Sequence, residues 1–320
     1  MKKYDIVALG EALVDISQYG INTKGNAVME VSPGGAPCNM LSMAAKLGSK
    51  CGFIGKVGDD YFGHLLHQKL EQNGIDCAGL VEDKQYSTTL AFVHKDINGE
   101  RIFSFCRKPG ADEMLCKQDI NLFCLQNTAI FHFGTLSSTS TCGREATQFA
   151  VQKAREYGCL ISFDPNIRHM LWTDEYELQQ AIDFGLRNCN ILKISDEELW
   201  EIVESNELIN ATEQLARCYD NIELLIVTLG ENGGYIKGRD FTLKFDAYNA
   251  GKVRDTTGAG DSFCGCVNHF IANNPEGRFD KNYVLDAIKF GSIAAGIVVT
   301  RNGSMCEMPS LDEIRNCINN

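Results

Sequence analysis

The feature that most constrains the fold is an alternation of short apolar runs with helical patterns. Continuous apolar runs that are typical of buried strands lie at residues 4–10, 51–58, 129–134, 160–165, 191–195 and 223–230. Helical patterns lie between several of them, at residues 36–48, 59–74, 142–158 and 197–204. Parallel strands are buried on both faces, and β–α alternation places helices over the sheet. The pattern therefore predicts an α/β fold with a mostly parallel central sheet.

Two segments interrupt this alternation, residues 16–33 and residues 86–107. Both are rich in strand-forming residues, and the second contains Asn98-Gly99, a strong signal for a tight hairpin turn. We expect the two segments to form antiparallel hairpins in a small lid sheet. The rest of the chain shows no linker, so we predict a single domain spanning residues 1–320.

The charge of the chain limits its partners. The formal net charge is −12, and the sequence has no run of basic residues. Nucleic acids and anionic membrane surfaces require clustered Lys and Arg, so we expect no partner of either kind. The apolar run at the N-terminus is interrupted by acidic residues, and no window reaches the roughly 20 apolar residues of a membrane span. We therefore predict a soluble, cytoplasmic protein.

The sequence contains 14 cysteines. They are scattered along the chain, and no secretory leader is evident, so we predict reduced thiols. The closest pair, Cys264 and Cys266, lies in an apolar helical pattern. Zinc sites need further ligands at set spacing, so core packing is favoured over a metal site for this pair.

Residues 253–267 contain the most informative motif, "VRDTTGAGDSFCGCV". Gly258, Ala259 and Gly260 allow a tight turn before a predicted helix at about Asp261–Ile271. The free N–H groups and positive dipole end of that helix would bind an anion such as phosphate, although a plain helix cap fits the local pattern equally well. A carboxylate repels a phosphate bound beside it and weakens its binding, so its presence there is explained if the carboxylate takes part in the reaction. Asp261 is suited to accept a hydroxyl proton as that oxygen attacks a phosphoryl group.

Four further loops follow predicted strands. Asp15 follows the first strand. Gly34, Gly35 and Asn39 lie at a junction between a loop and a helix. This junction either contacts a ligand or serves only to begin the helix. The third loop carries Asp164, Asn166 and Arg168, the fourth carries Glu198, and the fifth, residues 227–234, ends in a Gly turn. Salt-bridged turns and solvated acids are the alternatives for the third and fourth. The convergence of these loops on the carboxyl edge of one sheet indicates a ligand site, since open parallel sheets bind ligands there.

Several of these segments resemble the ribokinase-like carbohydrate kinases, the PfkB family. "DTTGAGDSF" (255–263), "GGAPCNM" (34–40) and "GKVGDDYFG" (55–63) match the family's signatures in the right order. "GEALVD" (10–15), "RKPGADEML" (107–115), "FHFGTLSS" (131–138) and "FDPNIRHMLW" (163–172) are most similar to its fructokinases. The resemblance covers essentially the whole chain. It implies a ribokinase-like three-layer α/β/α fold with a small β-sheet lid.

The resemblance also implies roles for individual residues. Asp261 would be the catalytic base, with Gly258, Ala259 and Gly260 as the anion hole. The implied substrate contacts are Asp15, Gly34, Gly35, Asn39, Arg107, Asp164 and Arg168. The implied nucleotide contacts are Lys193, Thr228, Gly230, Gly258, Gly260 and Ser292, the last in place of the Asn that many relatives carry.

Cofactors and partners follow from the same resemblance. ATP and Mg²⁺ are implied, with Glu198 holding Mg²⁺ through water; Ser195 replaces the Asn of the family's motif there. Asp255 and Thr257, with backbone near Arg301–Gly303, match a monovalent-cation site that binds K⁺ in related enzymes. The partners would be a sugar and ATP, and family members often form a homodimer through the lid.

These observations predict an ATP-dependent sugar kinase that converts D-fructose to D-fructose 6-phosphate. Ribokinase, 2-keto-3-deoxygluconate kinase and nucleoside kinase activity are alternatives within the fold. A nucleoside would favour an aromatic sandwich, for which Phe103, Phe105 and Phe133 are candidates. A sugar-responsive regulator without activity is the alternative from another class. Such a protein could lose the base or the anion hole, and both are intact here.

Overall fold

The structure is a computed structural model that describes residues 2–95, 101–205, 207–303 and 305–319. In these residues thirteen strands form two sheets. Their bounds are Tyr4–Leu9 (β1), Leu13–Ile21 (β2), Ala27–Gly34 (β3), Cys51–Gly58 (β4), Ile75–Asp83 (β5), Leu90–Lys95 (β6), Arg101–Cys106 (β7), Thr128–Phe133 (β8), Leu160–Phe163 (β9), Ile191–Ser195 (β10), Leu224–Thr228 (β11), Gly234–Gly238 (β12) and Thr242–Phe245 (β13).

The larger sheet has nine strands in the order β13-β12-β11-β10-β9-β8-β1-β4-β5. Every pair from β11 to β5 is parallel, whereas β12 and β13 pair antiparallel at one edge. The mostly parallel sheet is therefore confirmed. The predicted strands agree with β1, β4, β8, β9, β10 and β11 within about two residues, which is the usual uncertainty of element ends.

Helices cover both faces of this sheet. Their bounds are Ala36–Lys46 (α1), Tyr61–Gln72 (α2), Leu122–Gln126 (α3), Thr141–Glu156 (α4), Glu175–Asn188 (α5), Asp196–Ile202 (α6), Leu208–Cys218 (α7), Ala259–Asn273 (α8), Lys281–Val298 (α9) and Leu311–Asn319 (α10). The core beneath α3 to α7 takes Val7 and Leu9 of β1, and the opposite core, beneath α1, α2, α8 and α9, takes Ile6 and Ala8. This two-residue alternation buries both faces of the strand and produces three α/β/α layers.

The smaller sheet is the lid, with strand order β3-β2-β6-β7. The two predicted segments form its two antiparallel hairpins, and β2 and β6 join the hairpins as a parallel pair. Lys95 pairs with Arg101 across β6 and β7. The predicted turn at Asn98-Gly99 lies outside the described residues.

The prediction that all cysteines are reduced is wrong for one pair. Cys116 and Cys142 form a disulfide, with their Cα atoms 5.2 Å apart. They are 26 residues apart in sequence, and the packing of α4 against the short helical turn Lys117–Asp119 brings them together. Cys264 and Cys266 are free and buried, as predicted for core residues.

Among the residues that the structure describes, no helix has the length and apolar character needed to cross a membrane.

Candidate active site

A cavity of about 420 Å³ lies between the carboxyl edge of the central sheet and the lid. Loops that follow β1, β8 and β9 line it together with the first turns of α1 and α8. Of the residues to which the family resemblance gave a catalytic, binding or metal role, ten contribute to its lining: Asp15, Gly35, Asn39, Asp164, Arg168, Lys193, Thr257, Gly258, Gly260 and Asp261. This volume is in the range of small-molecule sites, and its position is where open parallel sheets bind ligands.

Asp261 lies in the first turn of α8 and contacts the first turn of α1. Asn39 Nδ2 donates a hydrogen bond to Asp261 Oδ2 at 2.8 Å. Burial raises the pKa of Asp261 to about 6, although the hydrogen bond from Asn39 and the charges of Lys193 and Arg168 lower it. The carboxylate is therefore mostly ionised at neutral pH and sits close to the pH range in which it takes up a proton. These are the properties required of a general base.

The segment that begins α1 needs both of its glycines. Gly35 has a φ of 112°, and a Cβ there would be 2.4 Å from the carbonyl oxygen of Glu11. A Cβ on Gly34 would be 2.5 Å from Asp15 Oδ2. Gly34 therefore makes room for the Asp15 side chain, which lines the cavity from the lid strand β2. The sequence predicted Asp15 just after the first strand; the structure places it in the lid.

Asp164 and Lys193 form a buried ion pair that also lines the cavity. Lys193 Nζ is 3.0 Å from Asp164 Oδ2, whereas Asp164 Oδ1 is buried and has no hydrogen-bond partner. Burial lowers the pKa of Lys193, but the charges of Asp164 and Glu198 outweigh it and hold the pKa above its usual value. Lys193 therefore stays charged. The unpartnered oxygen of Asp164 is an acceptor for which a sugar hydroxyl is a fitting donor.

The G-A-G turn begins α8 as predicted. Gly258 has a φ of 80°, in the left-handed region that favours glycine. Ala259 N–H donates to Thr256 O at 3.3 Å, so this donor is already engaged. A Cβ on Gly260 would be 3.0 Å from Lys193 Nζ, which places the lysine beside the turn. N–H groups in the first turn have no acceptor within a helix, and here they lie next to a fixed positive charge.

Glu198 is held in place by the start of α6. Its Oε2 accepts from Ser195 N–H at 2.9 Å and from Ser195 Oγ at 3.0 Å, and its Oε1 accepts from Ile167 N–H at 2.8 Å. This is a capping box, whereas the alternative offered by the sequence was a solvated acid. Oε1 keeps one lone pair that can accept a hydrogen bond from water, so Glu198 fits the outer shell of a metal site.

The structure does not bring every predicted residue to the cavity. Thr257 N–H donates to Asp255 Oδ1 at 2.8 Å, so these two oxygen-bearing residues are adjacent. Thr228 ends β11 opposite Ser195 of β10, and Gly230 follows it with a φ of 56°. In the described parts of the chain, the residues with an implied catalytic, binding or metal role that do not line the cavity are Gly34, Arg107, Glu198, Thr228, Gly230, Asp255, Ala259 and Ser292.

Arg107 differs most from its predicted place. It is buried in an ion pair with Asp112, with Arg107 Nη2 2.7 Å from Asp112 Oδ2. Nη1 donates to Thr139 Oγ1, and Nη2 also donates to the carbonyl oxygen of Leu136. The guanidinium is therefore occupied by protein groups.

Sequence analysis missed several polar groups of the cavity. His132 is buried beneath it, with Nδ1 3.0 Å from Ser162 Oγ, and burial together with the charge of Lys193 lowers the pKa of His132 to about 3. Glu11 accepts a hydrogen bond from Ala36 N–H at 2.9 Å, and burial raises the pKa of Glu11 to about 7. His132 could have been found from the sequence, because it is an ionisable residue within an apolar strand.

The aromatic residues considered for a nucleoside sandwich lie in different surroundings. Phe105 lines the cavity from β7, whereas Phe133 belongs to the core and packs on Phe163 with ring centroids 4.8 Å apart. The side chain of Phe103 lies outside the described side chains.

Known proteins resemble this chain in sequence and in fold. The chain is 34% identical over 307 residues to the probable fructokinase-2 of Arabidopsis thaliana, which covers 95% of this chain and 93% of that protein. The crystal structure of a fructokinase with bound ATP from Xylella fastidiosa matches with a TM-score of 0.90 and 27% identity, covering 99% of this chain and 98% of that one. A fructokinase double mutant from Vibrio cholerae O395, in a form with bound fructose, ADP and potassium ion, matches with a TM-score of 0.87 and 29% identity, covering 99% of both chains.

These likenesses extend over the whole fold, lid included, and the family match has the same extent. Residues 3–311 match the family described as pfkB family carbohydrate kinase. The resemblance seen in the sequence motifs is thereby confirmed, as are the ribokinase-like fold and an ATP-dependent carbohydrate kinase activity. The chain belongs to the pfkB family of carbohydrate kinases.

Proposed function

We propose that this carbohydrate kinase transfers the γ-phosphoryl group of ATP to D-fructose and produces D-fructose 6-phosphate. The observation that carries the proposal is the cavity in which Asp261, Asn39 and the unpartnered oxygen of Asp164 meet. A polyol needs several acceptors at one place, and a phosphoryl transfer needs a base beside an anion site. The fructokinase with bound fructose and ADP has the same fold, which supports fructose as the substrate.

In the proposed reaction the sugar hydroxyl donates its proton to Asp261 as its oxygen attacks the γ-phosphorus. Asp15, Asn39 and Asp164 orient the sugar, together with the Gly35 backbone and the Arg168 side chain, which also line the cavity. The N–H groups at Gly258 and Gly260 and the ammonium of Lys193 stabilise charge on the transferred group. These local positive groups offset the formal net charge of −12 near an anionic substrate.

The nucleotide and its metal ions occupy the adjoining edge in this proposal. Thr228, Gly230 and Ser292 would line the nucleotide site beyond β10. Glu198 would hold Mg²⁺ through water, and Mg²⁺ would neutralise charge on the phosphates. Asp255 and Thr257 offer oxygen ligands for K⁺, and the related fructokinase with bound potassium ion supports this assignment.

The lid also supports a homodimer. Its strands β2 and β3 expose large apolar side chains, namely Tyr19, Ile21, Val28, Met29 and Val31. Several large apolar side chains exposed on one small sheet are typical of an interaction surface. Sedimentation of the wild type and of Ile21→Asp tests the assembly, and a monomer at all concentrations in both would contradict it. The single domain over residues 1–320 and the cytoplasmic location remain predictions.

Coupled ATP turnover on a panel of fructose, ribose, 2-keto-3-deoxygluconate, tagatose and adenosine tests the substrate. We expect the highest kcat/KM with fructose, and phosphorus NMR of the product should place the phosphate on C6. If another sugar is turned over faster, that sugar and not fructose is the substrate. Binding of sugar without turnover of any of them would favour the regulator instead.

A further inference from the structure

The roots of the four lid strands meet in one buried cluster, which we call the lid root and define as Glu11, Thr89, Arg107, Gly110 and Asp112. β2 begins two residues after Glu11, and β6 begins directly after Thr89. β7 ends directly before Arg107. β3 ends at Gly34, two residues before Ala36, whose N–H donates to Glu11. Each connection between lid and main sheet therefore passes through this cluster.

A buried ion pair lies at its centre. Arg107 Nε and Nη2 lie 2.8 Å and 2.7 Å from Asp112 Oδ2, and both side chains are only 2% exposed. Thr89 Oγ1 donates to the other oxygen, Asp112 Oδ1, at 2.5 Å. Asp112 thereby ties the beginning of β6 to the end of β7. Loss of one partner from such a pair leaves a buried charge without compensation, which strongly destabilises the folded arrangement.

Arg107 also connects the lid to the wall of the cavity. Its Nη1 donates to Thr139 Oγ1 at 2.9 Å, and its Nη2 donates to the carbonyl oxygen of Leu136 at 3.2 Å. Leu136 lines the cavity in the loop that follows β8. The guanidinium thus joins a lid strand to a loop of the main sheet through fixed, planar donors.

Glu11 extends the cluster to the catalytic groups. Its Oε1 accepts from the N–H of Ala36, the first residue of α1, and the charges of Asp112 and Arg107 both act on it. One turn further along α1, Asn39 donates to Asp261. A change at the lid root can therefore reach the base through a single helical turn.

Gly110 shows how closely the cluster is packed. A Cβ at this position would be 2.0 Å from Thr89 Oγ1 and 2.6 Å from Asp112 Oδ1. Substitution by Ala must displace one of these oxygens, whereas the charges of the pair stay unchanged. Gly110→Ala therefore separates geometry from charge.

We propose that Arg107 and Asp112 are positioning residues that fix the angle at which the lid sheet closes over the sugar. They act through the lid strands and the Leu136 loop, without contact with the substrate. The inference rests on the proposed sugar kinase function. A lid held at the wrong angle leaves Asp15 misplaced and admits water, which competes with the sugar for the phosphoryl group.

The test compares Asp112→Asn and Gly110→Ala with Glu213→Gln, which removes the ion pair between Glu213 and Lys237 far from the cavity. For the lid-root variants we expect the KM for fructose to rise about tenfold or more, with the KM for ATP nearly unchanged. ATP hydrolysed per sugar phosphorylated should also rise. Amide hydrogen exchange should accelerate in β2 and β3 while the central sheet stays protected. Glu213→Gln should change none of these.

The outcomes are distinguishable. If the lid-root variants lose only thermal stability, with an unchanged KM for fructose and unchanged lid exchange, the pair is merely structural and the inference is wrong. The double variant Arg107→Gln/Asp112→Asn removes both charges of the pair, so neither is left buried without its partner. It should therefore fold even if Asp112→Asn does not, and it should retain the KM and exchange effects. If the wild type phosphorylates no sugar, the proposed function fails, while hydrogen exchange still reports on the lid.

Discussion

The amide of Asn39 and the carboxylate of Asp261 are joined by a 2.8 Å hydrogen bond, although 222 residues separate them in the chain. The bond exists because α1 and α8 pack side by side on one face of the central sheet. It unites the two glycine-containing loops that the sequence presents as separate motifs. It also stabilises the ionised form of Asp261 against the effect of burial.

Asp261→Asn should abolish most phosphoryl transfer but retain sugar binding. The amide cannot accept a proton, and general bases contribute about 10²–10⁴-fold to rate. We expect kcat to fall in this range in a coupled assay, while calorimetric binding of fructose changes little. Asp240→Asn, at an exposed position, is the matched control. Near-normal turnover by Asp261→Asn would mean that another group accepts the proton.

The pH dependence of kcat/KM should show an acidic limb near pH 6. Burial raises the pKa of Asp261 to about 6, and the base must be ionised to act. Activity therefore rises with pH through about 6 and declines about tenfold per pH unit well below it. Asn39→Ala removes a hydrogen bond that lowers this pKa, so the limb should move to higher pH.

Glu11 must be separated from Asp261 in this experiment, because burial raises the pKa of Glu11 to about 7. In Glu11→Gln the limb near pH 6 should persist, whatever the effect on its height. If the limb disappears with Glu11, the titration belongs to the lid root and not to the base.

Gly34→Ala should weaken sugar binding selectively. The added Cβ would lie 2.5 Å from Asp15 Oδ2 and 3.3 Å from a methyl group of Leu13. Asp15 must then turn out of the cavity, so we expect the KM for fructose to rise about tenfold or more with little change in the KM for ATP. Gly20→Ala is the control in the same lid sheet, since nothing lies within 4 Å of a Cβ there. Equal effects of both substitutions would exclude the Asp15 explanation.

The parts of the fold that were predicted correctly are those encoded locally. β1, β4 and β10 are continuous apolar runs, and their predicted bounds agree with the structure almost to the residue. β5 and β13 are half-buried strands at the two edges of the sheet and lack this signal, whereas β12 is buried but begins and ends with glycine and contains Lys237. Sequence analysis found none of the three. The glycine turn before Asp261 could be predicted from the sequence because only glycine readily adopts the φ of 80° found at Gly258.

The rest of the site depends on contacts between distant segments. Arg107 follows a strand in a motif that resembles fructokinases, and nothing in its neighbours shows that Asp112 and Leu136 occupy its guanidinium. The Cys116–Cys142 disulfide is equally invisible, since it depends on where α4 begins. Glu11 was seen only as an interruption of an apolar run, because its role depends on the N–H of Ala36 in another segment.

Gly265→Ala should disturb the Asn39–Asp261 pair from a distance. Gly265 lies between two buried cysteines of α8, and a Cβ there would be 2.5 Å from the carbonyl oxygen of Met40, which is backbone of α1. The two helices must separate, so we expect a loss of about 1–3 kcal/mol in the free energy of unfolding by urea denaturation. The kcat of the folded enzyme should also fall, since Met40 follows Asn39 directly.

Gly291→Ala distinguishes this coupling from simple overpacking. Its Cβ would be 2.9 Å from the ring of Phe263, which joins α9 to α8 and does not involve α1. We expect a comparable loss of stability with an unchanged kcat per folded molecule. If both variants lower kcat equally, the effect of Gly265→Ala does not pass through Asn39. If Gly265→Ala changes neither stability nor kcat, the two helices tolerate separation, and their close contact is not what sets the geometry of the base.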